Sequence, residues 1–121
     1  MRKSIPKSVR EQIYQKCDGH CAYCGCKLDY KDMQVDHIDP VYTSKLDDDK
    51  LNDISNYLPS CRSCNFYKST FDLETFRHRL ETTLYENLSN NFNYKLLKKY
   101  GLIKEDIKPI VFYFERHRKE K

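Results

Sequence analysis

Tryptophan is absent from the 121 residues, glycine occurs three times, proline four times and methionine twice. So little glycine and proline excludes a collagen-like or linker-dominated chain, and no repeat or low-complexity segment is present. No apolar run approaches the roughly 20 residues that a membrane-spanning helix needs. The opening MRKSIPKSVR also lacks the apolar segment of a signal peptide, so neither a secreted nor a membrane protein is expected. A strong charge of either sign is missing as well. Lys and Arg number 22 against 18 Asp and Glu, a net +4 that permits a nucleic-acid partner without demanding one. At this length a single domain over residues 1–121 is expected, with a core short of apolar area.

What the chain has instead is aromatic residues, ten Tyr and six Phe, and six cysteines. Without a secretory signal, six Cys read as metal-binding or catalytic before they read as a disulfide framework. A bound metal also offsets a small core. Basic residues gather at the two ends (Arg2, Lys3, Lys7, Arg10 and Lys16; Arg116, Arg118, Lys119 and Lys121), and the acidic run Asp47–Asp49 reads as a solvated loop.

Periodicity supplies the elements. Pro6 to about Cys17 is helical, with Val9 and Ile13 on one stripe and Asp18-Gly19 as a stop. Met33–Asp36 and Asn56–Leu58 are short strands, the first ended by Asp39-Pro40 and the second by Pro59. A helix follows Cys61. Leu73, Phe76, Leu80, Leu84 and Leu88 predict an amphipathic helix over 72–88, and a shorter helix through Leu96 and Leu97 should stop at Gly101. The apolar run Ile110–Phe114 after Pro109 predicts a late strand.

Cys21-x-x-Cys24 and Cys61-x-x-Cys64 are two thiolate pairs separated by 36 residues. Each pair can take two corners of a tetrahedron, and four thiolates with no water position make a closed structural site whose usual occupant is zinc. The gap exceeds the roughly 15–20 residues of a simple zinc ribbon, so a folded insertion lies between the knuckles. Cys17-x-x-x-Cys21 is an alternative pair and His20 an alternative ligand. Cys17 is otherwise expected on the inner face of the first helix.

Inside the gap stand Asp36 and His37 of VDHIDP, then Asn56, and Asn65 follows the last Cys. Together CAYC, VDHIDP, NYLPSCRSCN and Lys68 resemble the HNH endonuclease family, the zinc-bearing branch of the ββα-metal nucleases. The resemblance implies an α+β fold: a ββα-metal core over about residues 17–70, flanked by an N-terminal helix and a helical C-terminal part (about 71–121) with one late strand. It implies His37 as general base, Asp36 and Asn65 as ligands of a catalytic Mg²⁺ or Mn²⁺, and Asn56 as the residue that orients the base. Because the third family position is often His and is Asn65 here, the chain is an HNN variant.

The residues suit that chemistry. Phosphodiester hydrolysis needs a base to activate water and a cation to stabilise charge on the phosphate and leaving oxygen. Imidazole takes a proton near neutral pH, and Asp36 offers a hard oxygen for a divalent ion. Adjacent strand side chains point to opposite faces, so Asp36 and His37 serve one phosphate only if the strand ends or bends there. Lys68, three residues beyond Asn65 on the same helical face, and Arg62 are candidate DNA contacts. The expected function is a metal-dependent DNA endonuclease yielding 5′-phosphate and 3′-hydroxyl ends in a bacterial or phage-host cytoplasm, with a homodimer expected if both strands are cut. A non-catalytic zinc module that binds DNA or protein is the rival reading, and a redox switch through Cys17 and Cys26 a third.

Overall fold

The computed structural model describes residues 5–39 and 52–119, so the acidic run Asp47–Asp49 lies outside the described residues. The chain divides into two compact units, one running to Leu73 and resuming at Val111, the other Glu74–Ile110. Residues 111–119 thus group with the first unit.

In the first unit, Pro6 presets the backbone for helix α1 (Lys7–Gln15), and its carbonyl accepts from Arg10 N at 2.9 Å. Ile13 is fully buried and packs with Leu28, Met33, Val35 and Tyr57, with Val9 and Tyr14 against this core. Two basic residues counted above toward a polyanion serve the fold. Arg10 Nη2 donates to Met33 O at 2.7 Å, and Lys16 Nζ donates to the carbonyls of Ile54 (2.5 Å) and Tyr57 (2.7 Å).

Strands β1 (Gln34–His37) and β2 (Tyr57–Ser60) pair antiparallel, Gln34 opposite Ser60, Val35 opposite Pro59, Asp36 opposite Leu58 and His37 opposite Tyr57. Contrary to expectation, β2 runs through Pro59. A two-stranded sheet has only edge strands, where a missing N–H is tolerated, and the Pro59 carbonyl accepts Ala22 N from the first knuckle at 2.8 Å. Helix α2 (Arg62–Lys68) starts directly after β2 with Cys61 as its N-cap.

The late strand is replaced by a helix. Residues 110–112 have no regular structure and α6 spans Tyr113–Lys119. The reason is local: Glu115 Oε1 accepts the Phe112 N–H at 2.9 Å, the glutamate half of a capping box, while the backbone carbonyl of Phe112 accepts from Glu115 and Arg116 N–H as the first turn of the helix. The aromatics that resembled a strand are anchors. Phe112 and Phe114 are buried edge-on to Tyr23, with ring centroids at 5.2 and 6.1 Å. Tyr113 and Phe114 N–H donate to the carbonyls of Tyr23 and Ala22 at 3.1 and 2.8 Å, which pins the segment to the first knuckle.

The second unit holds the predicted amphipathic helix as α3 (Leu73–His78), a π-helical turn over Arg79–Thr83 and α4 (Leu84–Ser89), followed by α5 (Phe92–Lys99). Arg77 Nη1 donates to Ile110 O at 2.8 Å and Ile110 N donates to Glu81 Oε2 at 2.7 Å, so both backbone groups of Ile110 are clamped.

Gly25 tests the docking of α6. Its φ is +82°, and a Cβ there would lie 2.9 Å from Tyr113 Cδ1. Gly25→Ala should destabilise the protein by roughly 1–3 kcal/mol from left-handed backbone plus the clash. Denaturant melts of Gly25→Ala alone and with Tyr113→Ala should show part of that cost relieved in the double variant. Strictly additive costs would contradict the contact.

Candidate metal and catalytic site

The first knuckle forms because Gly19 and Gly25 turn the chain at positive φ and backbone bonds close the loop: Gly25 N to Cys21 O at 3.0 Å and Cys21 N to Cys26 O at 2.9 Å. The second knuckle is the entry to α2. Together they gather the thiols of Cys21, Cys24, Cys61 and Cys64 within 4.8 Å of one another. A tetrahedral Zn²⁺ at about 2.3 Å from each sulfur needs sulfurs about 3.8 Å apart, and Cys24 and Cys61 stand at 3.9 Å. The donor set fits zinc.

Hydrogen bonding within the cluster already separates the thiols. Cys21, hydrogen-bonded by Cys64, is held down at about 4, whereas Cys64 is pushed far above the ordinary thiol range by that same bond and by burial. A metal that takes all four as thiolates therefore releases protons on binding. The alternatives stand outside the four-thiol group. Cys17 is buried beyond the end of α1, Cys26 is exposed with its thiol hydrogen-bonded to Cys24, and His20 turns its Nδ1 to the carbonyls of Cys17 and Asp18 while its ring stacks on Tyr113.

Asp36, His37 and Asn56 are all buried, at 5, 7 and 5% exposure. The His37 ring packs edge-on to Tyr57, its cross-strand neighbour, at 4.9 Å. Directly after His37 the chain bends, and Asn56 makes the bend. Its Nδ2 donates to Asp39 O (3.1 Å), its Oδ1 accepts Asp39 N (2.9 Å) and its backbone carbonyl accepts Ile38 N (2.8 Å). The bend falls after His37, so Asp36 and His37 are the last two paired residues of β1.

Two further groups converge on Asp36. Tyr23, between the first pair of cysteines, donates its hydroxyl to Asp36 Oδ2 at 2.5 Å. Burial and the Asp36 charge push the Tyr23 phenol well above its ordinary value, so it stays a donor. Lys68 places its Nζ 3.1 Å from the same oxygen and 2.9 Å from His37 O, and is wholly buried. The surface position expected of a phosphate contact is therefore not where Lys68 lies. Asn65 is one turn earlier on α2, half-buried, and with the exposed Arg62, Ser63, Phe66 and Gln34 lines a groove of about 480 Å³. Sequence reasoning missed Tyr23. The available signal was a tyrosine locked inside a metal knuckle, since a buried phenol needs a partner.

If the cysteines hold zinc, the protein as purified should carry one Zn²⁺ per chain by elemental analysis. Cys61→Ser should lose most of it and lower the melting temperature, whereas Cys26→Ser should retain it. Full zinc in Cys61→Ser would contradict the assignment.

Residues 21–71 match the family model described as HNH endonuclease. YoqL, a SPbeta prophage-derived protein of Bacillus subtilis (strain 168) whose name assigns it to the HNH endonucleases, is 30% identical over 101 residues. That alignment covers 76% of this chain, which spans 40% of the relative's length. A type II-C Cas9 enzyme from Actinomyces naeslundii shares the fold at TM-score 0.52 and 24% identity, over 66% of this chain and 9% of that one. The paired knuckles, the hairpin and α2 all fall within residues 21–71, the segment that matches the HNH endonuclease family.

Proposed function

We propose that this chain is a metal-dependent DNA endonuclease in which His37 is the general base. The observation that carries the reading is the end of β1 at His37, where Asn56 holds the chain in a bend through Asp39 beside the buried Asp36-His37 pair. Tyr57 limits the rotation of the imidazole, and burial keeps bulk water from competing with the reacting one.

Asp36 and Asn65 are the residues suited to hold Mg²⁺ or Mn²⁺. The ammonium already standing on Asp36 supports the fit, since a cation is accommodated there. Bound at that place, a divalent ion supplies charge neutralisation for the phosphate and the departing oxygen. The zinc-type cluster is structural: with four thiol donors it leaves no position for water or substrate. His37 takes a proton from the water as its oxygen attacks phosphorus, and the P–O3′ bond breaks on the far side. The departing O3′ takes a proton from solvent water, so the product strands carry 5′-phosphate and 3′-hydroxyl ends. Asn56 contributes by fixing the backbone beside the base and touches no reacting atom.

The net charge of +4 supports loose, salt-sensitive attraction to DNA, and Arg10 and Lys16, though tied to backbone carbonyls, keep their charge for it. Arg62, exposed on α2, is the DNA contact the geometry favours.

Plasmid cleavage with Mg²⁺ or Mn²⁺ tests the proposal. His37→Ala should lose about 10²–10⁴-fold in rate while keeping its zinc content and DNA affinity. Undiminished cleavage would refute His37 as base. Wild-type protein that binds DNA and never cuts it would favour the non-catalytic module.

A further inference from the structure

The two partners of Lys68 are the candidate metal ligand Asp36 and the backbone of the candidate base His37. Its ammonium has no solvent exposure and lies 3.1 Å from Asp36 Oδ2 and 2.9 Å from the carbonyl of His37. A buried ammonium persists only where anionic and carbonyl oxygens replace its water, and here those oxygens belong to the two residues assigned to the chemistry. Asp36 Oδ2 also accepts from the Tyr23 hydroxyl, so one carboxylate oxygen serves two donors. A divalent ion requires carboxylate oxygen at about 2.0–2.6 Å and carries twice the charge of an ammonium. It competes with Lys68 for the same anion, and the two cations repel across a few ångströms of low-dielectric interior.

We infer that Lys68 is an internal counter-cation: without metal its ammonium occupies the cation's place beside Asp36, and a divalent ion binds by displacing it. This rests on the reading of Asp36 as a ligand. Lys68 is then a positioning residue that sets the cation affinity of the site. It holds the Asp36-His37 corner in shape when no divalent ion is bound, and when one arrives its ammonium is released toward the phosphate that accompanies the metal.

The test uses zinc-loaded full-length protein and Mn²⁺ binding followed by electron paramagnetic resonance. Lys68→Met should bind Mn²⁺ about tenfold more tightly than wild type, and Lys68→Arg, which keeps the charge, should stay within about threefold of it. Without Mn²⁺, Lys68→Met should melt below wild type, and saturating Mn²⁺ should narrow the gap. Unchanged or weaker Mn²⁺ binding in Lys68→Met, with a melting deficit that Mn²⁺ leaves untouched, would make Lys68 an ordinary core lysine and overturn the inference. If Lys68→Met fails to retain zinc, the ¹⁵N resonance of the Lys68 ammonium in wild-type protein decides. Mg²⁺ should shift it or speed its hydrogen exchange, and an unmoved signal at saturating Mg²⁺ overturns the inference. Equal Mn²⁺ binding by wild type and Asp36→Asn would instead overturn Asp36 as a ligand, and with it this inference.

Discussion

The closure of four thiols into one cluster, from segments 36 residues apart, is the constraint on which the rest of the core depends. Each knuckle sends one side chain to the same oxygen. Tyr23 leaves the first knuckle and Lys68 stands one turn past the second, and both reach Asp36 Oδ2. Asp36 is therefore held from both ends of the cluster, although no cysteine touches it among the contacts described. The C-terminal helix adds a third support, because Phe112 and Phe114 back Tyr23 and their segment bonds to the knuckle's carbonyls. A metal held by these thiols would act on Asp36 indirectly, by fixing where its two hydrogen-bond donors originate.

Parts of this were legible in the sequence and parts were not, for reasons that differ residue by residue. The paired cysteines were readable because metal geometry imposes local spacing, and spacing survives in a linear string. Asp36, His37 and Asn56 stood out in the string because the knuckles bracket them, and in the fold all three are buried, with Asn56 hydrogen-bonded to the backbone of Asp39. Lys68 was placed on the right helix yet in the wrong environment. Helical spacing says which face a residue shares and nothing about whether that face is covered, and in this fold the face of Lys68 turns toward β1. Arg10 and Lys16 show the same limit, since counting charge does not reveal the carbonyls they bind across the fold.

The C-terminal segment shows how a pattern misleads. Ile110–Phe114 has the composition of a strand, but no described strand stands beside it to pair with, and Glu115 supplies the cap that a helix needs. The local hydrogen bond prevailed over β propensity, which reflects packing context more than backbone preference. The π-helical turn at Arg79–Thr83 was equally invisible to periodicity, although Leu73, Phe76 and Leu80 did mark a helix.

The central claim is that one thiol cluster and one separate cation site, joined through Tyr23 and Lys68, share this small core. Anomalous diffraction from zinc-containing crystals soaked in Mn²⁺, recorded at the zinc and manganese edges, tests it most directly. The account predicts a zinc peak among Cys21, Cys24, Cys61 and Cys64 and a distinct manganese peak between Asp36 and Asn65. Manganese found only among the cysteines, or nowhere near Asp36, would contradict it.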